Sequence, residues 1–212
     1  MVFDLQYRLD KTLDKIKEAT IEEYNNFYNM NIDKSIIKIY IFKDRQTLDK
    51  IKWRKTENRM IANTKWTHIY LYDLDKIEEI SKWYHKKNIS KYNETIRHEI
   101  AHSFYWLYLN WNYFRANRLN EGMAIYLSWQ IKRKNKPVKF KNFLDFRDNE
   151  WEQVYIESWF IIEFLINNYG KEKILELIKS LWKIKSKEEF FGKFKDIYWF
   201  ELTYENINTF IN

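Results

Sequence analysis

Three glycines and one proline in 212 residues are the tightest constraint on this chain. Few turns can rely on a positive φ or on a ring-locked φ, so the sequence predicts long helices joined by polar loops. Apolar residues make up 45% and aromatic residues 19%, enough for a sizeable core packed largely from rings. Cysteine is absent, which excludes a disulfide framework, thiolate-ligated metal and a thiol nucleophile.

The formal net charge is +7, a balance that brings nucleic acid or an anionic membrane surface into consideration. The lysines, however, are spread among Glu and Asp as on solvated helix faces. The densest basic runs are 52–55 and 132–141, and the second surrounds Pro137 and reads as a loop. No helix carries a continuous basic stripe and no nucleic-acid motif is present, so specific nucleic-acid binding is not expected. No stretch reaches 18 uninterrupted apolar residues, so no membrane span is expected. The first residues are polar and periodic with no apolar signal region, which leads to an expected cytoplasmic location.

Residues 5–29 set Leu5, Leu9, Leu13, Ile16, Thr20, Tyr24, Phe27 and Tyr28 at helical spacing. Ile36–Phe42 alternates and is β-branched, and Trp66–Tyr72 repeats the pattern; both predict strands. Between them, Asp44–Trp53 predicts a short helix capped by Asp44. Asp73–His85 reads as helix or turn-rich connection. From about Asn88 the pattern is helical, with Ser90 or Asn93 as cap of a helix through RHEIAHSFYWLYL. Further helices are expected at Arg118–Lys132, Glu150–Tyr169 with Gly170 beyond its end, Lys171–Lys183, Glu188–Asp196 and Tyr204–Ile211. The expected fold class is α+β: one domain over 1–212. Within it, 1–30 is an N-terminal helix and 31–110 a small mixed sheet with the helix that carries RHEIAH. The half from 111 to 212 is mainly helical.

The chemistry concentrates in Arg97-His98-Glu99-Ile100-Ala101-His102. A spacing of four puts both imidazoles on one helical face, where both can reach a Zn²⁺ about 2.0–2.1 Å away. Glu99 then lies beside the metal, placed to take a proton from water rather than to ligate. Chance alone gives such a motif in roughly one in a hundred sequences of this histidine content. A second segment, Leu119-Asn120-Glu121-Gly122-Met123-Ala124, lies on the next expected helix, and a loop over Trp111–Asn117 would let that helix fold back. Glu121 can then supply a third ligand. Two histidines and one glutamate leave a fourth position for water, the composition of a catalytic zinc site.

HEIAH, eighteen residues, then NEGMA resembles the gluzincins, the zinc peptidases that include thermolysin and the alanyl aminopeptidases. The order helix, strand, short helix, strand, metal helix, Glu helix is similar to theirs, and Tyr155 through Gly170 resembles the helix that follows in small members. The resemblance implies a gluzincin-like zincin domain and one Zn²⁺ held by His98, His102 and Glu121. It also implies Glu99 as general base, Tyr155 as a donor to the developing oxyanion, and a peptide or protein substrate. It implies as well that strand 66–72 pairs with an extended substrate backbone. Core packing is the competing role for Tyr155.

Departures narrow the resemblance. Tyr105 and Tyr108 stand where a metzincin needs Gly and His. Met60-Ile61-Ala62-Asn63 lacks the Glu with which the aminopeptidases anchor a substrate amine. Ile125 stands where thermolysin-like enzymes carry an Asp that orients a histidine. His68 is expected at a cleft or surface, His85 in solvent, and Glu94 as a helix N-terminal charge near His98. Two alternatives stay open: a gluzincin-fold module without turnover, and a basic nucleic-acid- or membrane-surface-binding protein.

Overall fold

The computed structural model describes residues 11–56, 60–80, 88–110, 117–133, 135–141 and 151–209, with the backbone alone at 11, 80, 117–118, 131, 133 and 151–156. Two compact units divide the chain, 1–104 and 105–212, and the division falls inside one helix. The architecture is α+β: one small sheet, then a mostly helical remainder. Among the described residues no helix is long and apolar enough to cross a membrane.

In the first unit, helix α1 (Lys11–Tyr28) buries Thr20, Ile21, Tyr24 and Tyr28, a stripe with helical spacing. It packs on helix α4 (Ile89–Tyr108). The Tyr24 ring meets Phe104 edge-on at 5.6 Å, and Tyr28 stacks on Phe104 at 5.9 Å. The Tyr24 hydroxyl donates to the Arg97 carbonyl at 3.2 Å. The Arg97 guanidinium donates to both oxygens of Glu23 at 2.7 and 2.8 Å and lies over the Tyr24 ring. Burial pushes the Tyr24 phenol far above its ordinary pKa, with the Glu23 charge adding and Arg97 opposing.

Strands β1 (Lys38–Phe42), β2 (Ala62–Lys65) and β3 (His68–Tyr72) form a sheet in the order β1-β3-β2. The β1–β3 pair is parallel and the β2–β3 pair antiparallel, so the sheet is mixed. Two sequence expectations change here. The polar segment Ala62–Lys65 is a strand, held by its pairing with β3 rather than by side-chain propensity. And β3, with β1 on one edge and β2 on the other, has no edge to offer, so strand 66–72 cannot pair with a substrate backbone. One face of the sheet packs Phe42 and Tyr72 against Leu48 of helix α2 (Arg45–Lys52). Asp44 caps α2 as its sequence suggests, accepting from Thr47 N at 2.8 Å. Asp73 then opens a 3-10 turn, Leu74–Lys76, that runs into helix α3 (Ile77–Ile80).

Helix α4 begins at Ile89, and its cap is Asn88, whose Oδ1 accepts from Lys91 N at 2.9 Å. Ser90 and Asn93 lie inside the helix instead. The Tyr92 hydroxyl donates to the Tyr72 carbonyl at 2.6 Å, tying the first turn of α4 to the end of β3.

In the second unit, helix α5 (Asn117–Leu127) packs on α6 (Trp151–Tyr169). The contact is close because Gly122 has no side chain. A Cβ there would sit 2.7 Å from the Ser158 carbonyl oxygen and 2.8 Å from Ile162 Cγ1. Gly170, at φ +83°, ends α6 and leads into α7 (Lys171–Ser180). Helix α8 (Lys187–Tyr198), capped by Ser186, and α9 (Tyr204–Thr209) complete the unit. Asn208 clamps the backbone of Phe140 through both its N–H and its carbonyl, at 2.7 and 2.9 Å. The expected loop at Trp111–Asn117 lies outside the described residues up to Ala116; Asn117 is already helical.

Glycine scarcity does not keep the chain out of positive φ. Asn29, Trp53, Trp66, Asn110, Trp129 and Trp199 all adopt it. The expectation that few turns would use this conformation is therefore corrected: asparagine and tryptophan take positions that glycine usually fills.

Candidate metal centre

Helix α4 carries His98 and His102 one turn apart. Their Nε2 atoms are 3.0 Å apart and the rings stand at 90°, centroids 4.6 Å apart. Two ring nitrogens that close cannot both aim lone pairs at each other without a proton or a cation between them. A cation 2.0–2.1 Å from each would subtend an angle of roughly 95°, within reach of a distorted tetrahedron.

Glu121, on α5, is the third member. Ligand atoms of His98, His102 and Glu121 all lie within 4.8 Å of one another, and all three residues are half-buried. Two imidazoles and one carboxylate suit Zn²⁺, and partial exposure leaves room for a further ligand from solvent. This is the one such group found among the described residues. The next residue in sequence, Gly122, makes the α5–α6 contact, so Glu121 is carried on a helix whose distance from α6 is set one position away.

Glu99 follows His98 yet does not belong to the group of three. It is 8% exposed. Its carboxylate accepts from the Thr64 hydroxyl at 2.5 Å, and its backbone carbonyl lies 3.0 Å from the same hydroxyl. Thr64 belongs to β2, the edge strand. Sequence reasoning passed over this residue: a threonine in a short polar run, 35 positions before its partner, gives no signal of its own. Lys52 supplies a cation within electrostatic reach of Glu99. Burial lowers the Lys52 pKa, the Arg54 and Lys65 charges lower it further, and Glu99 opposes them.

Other candidates fall out as follows. Tyr155 lies on α6, but its side chain is outside the described residues, so its expected oxyanion role stays an expectation. His68 is half-buried on β3 and stacks on Tyr40 at 5.7 Å; it is not a member of the metal group. Residue 85 is also outside the described residues. Glu94 sits beyond the first turn of α4, past the reach of the helix N-terminal field, and it too is not a member of the metal group. Ile125 is buried and offers no carboxylate to orient a histidine.

Comparison with family models, with curated proteins and with solved structures finds no match for this chain.

Proposed function

We propose that this chain is a zinc-dependent peptidase of gluzincin-like design. His98, His102 and Glu121 are its metal ligands and Glu99 its general base. The observation that carries the reading is the grouping of those three ligand atoms within 4.8 Å, with a second glutamate, Glu99, next to His98 in the chain, outside the set and held by Thr64. The donor set fits the ion: two imidazoles and a carboxylate, all half-buried, with a further position for a ligand from solvent in such a set. When bound, Zn²⁺ polarises a carbonyl and makes water acidic enough to attack at neutral pH. The chain supplies the rest. Glu99 takes the proton of the attacking water on the carboxylate oxygen that Thr64 does not hold, and returns it to the leaving amine. His98 and His102 are fixed by their place on α4, which α1 grips through Arg97 and Phe104.

The substrate fits an extended peptide laid along the outer edge of β2, in the manner of an added strand. That edge runs beside Thr64 and therefore beside Glu99. It carries no acidic side chain between Ala62 and Lys65, so nothing on it would anchor a free amine; cleavage away from the N-terminus is the reading this favours.

The test has two stages. Metal analysis of the purified full chain is expected to find about one zinc per molecule. Glu99→Gln should keep that zinc while lowering kcat for a fluorogenic peptide by roughly 10²–10⁴. Zinc below a tenth of an equivalent after loading, or full activity in the Gln variant, contradicts the proposal.

A further inference from the structure

We infer that Thr64 is a positioning residue for the general base: its hydroxyl reaches across from the edge strand and fixes one Glu99 carboxylate oxygen so that the other faces the reacting water. The inference rests on the peptidase reading and adds to it a residue the motif does not contain.

The geometry is specific. A threonine hydroxyl has one proton, and two acceptors of the same residue lie near it. The carboxylate contact is 2.5 Å and the carbonyl contact 3.0 Å, so the hydroxyl proton goes to the nearer acceptor, the carboxylate. The Glu99 carbonyl meanwhile has a second donor, the Ser103 hydroxyl, at 3.5 Å. Thr64 is itself held. Its backbone is in register with Ile69, and β-branching leaves its χ1 little freedom. A glutamate has three side-chain torsions, and a base must sit within about half an ångström of its working position. The hydroxyl bond removes most of that freedom from a side chain that is already buried. Lys52 strengthens the case, because a carboxylate released by Thr64 has a half-buried cation within electrostatic reach to turn towards.

A second consequence follows from where the hydroxyl comes from. The strand that holds the base is the strand whose outer edge would receive the peptide. Base and scissile carbonyl are then referenced to the same four residues, and a shift of one is a shift of both.

The experiment uses the zinc-loaded full chain with Thr64→Val, Thr64→Ala and Thr64→Ser. Val keeps the shape and the strand preference and loses the donor; Ala loses the donor with less bulk; Ser keeps the donor. For Val and Ala, kcat is expected to fall about 10- to 100-fold with KM within about twofold, and for Ser to stay within about threefold of the parent. In a Glu99→Gln background, Thr64→Val should lower kcat no further, because Thr64 acts through Glu99 alone. A readout free of turnover comes from the metal-free chain. The ¹³C resonance of the Glu99 carboxylate, assigned through Glu99→Gln, should move in the Val and Ala variants and return in Ser. Parent activity with an unchanged kcat in Val and Ala overturns the inference and leaves the peptidase reading standing. An unmoved carboxylate resonance overturns it as well. No turnover by the zinc-loaded parent overturns the peptidase reading, and the positioning role falls with it.

Discussion

At the scale of single residues, the tryptophans at positive φ carry a measurable cost. An L-residue in the left-handed region is strained by about 1–2 kcal/mol, and a ring as large as indole gains nothing there unless it packs. Trp53, at φ 54°, is 87% exposed. Trp53→Gly is therefore expected to stabilise the chain by about 0.5–1 kcal/mol, part of the relieved strain being offset by the added freedom of the unfolded chain. A urea midpoint that drops in this variant contradicts that expectation. Trp199, at φ 66°, is a different case, because the Lys173 ammonium sits 3.4 Å over its ring and that contact would be lost. This scale also marks the limit of what a sequence discloses about the site. His98, Glu99 and His102 are legible because a helix brings i and i+4 together within one local string. Thr64 is not, because its partnership with Glu99 exists only once β2 has paired with β3.

At the scale of elements, the close approach of α5 and α6 is the contact most easily broken. A Cβ at Gly122 would stand 2.7 Å from a backbone carbonyl, which cannot swing aside as a flexible side chain could. Gly122→Ala is expected to destabilise by about 1–3 kcal/mol and to weaken zinc binding, since the displaced helix carries Glu121. Gly192 serves as the internal comparison. It lies within α8, and a methyl group added there would meet nothing within 4 Å, so Gly192→Ala should stabilise by up to about 1 kcal/mol through helix propensity alone. Thermal unfolding and zinc titration of both variants check the pair; equal effects of the same sign refute the packing explanation. Helices are legible where an apolar stripe and a cap coincide, as with Asp44 before α2. The start of α4 is not, because Ser90 and Asn93 are as competent to cap as Asn88, and only the tie from Tyr92 to Tyr72 fixes which one does. Strand β2 is illegible because Asn63 and Lys65 are poor strand formers and its order comes entirely from its neighbour.

At the scale of the whole molecule, the order of a mixed first half and a helical second half follows from the periodicities and is what the structure shows. The core of the second unit is less legible. Its ring cluster joins Tyr169 at the end of α6 to Phe194, Tyr198 and Phe200 at and just beyond the end of α8, and composition announces many rings without saying which ones meet. The grip of α1 on α4 has a final consequence, for how a metal would come and go at the proposed site. Tyr24 and Glu23 hold the turn at Arg97, and Tyr28 covers Phe104, so the helix bearing His98 and His102 is built by packing that involves no ion. Uptake of metal then has little folding to drive, in contrast to small zinc domains that collapse only around their ion. Treatment with a chelator should leave the far-ultraviolet circular dichroism unchanged. It should lower thermal stability only by the mass-action share, about 2.7 kcal/mol when free zinc had stood at a hundred times its dissociation constant. Loss of helix on chelation contradicts this. Occupancy would become a variable set by the surroundings, with the empty and loaded chains sharing one fold and trading places as free zinc rises and falls.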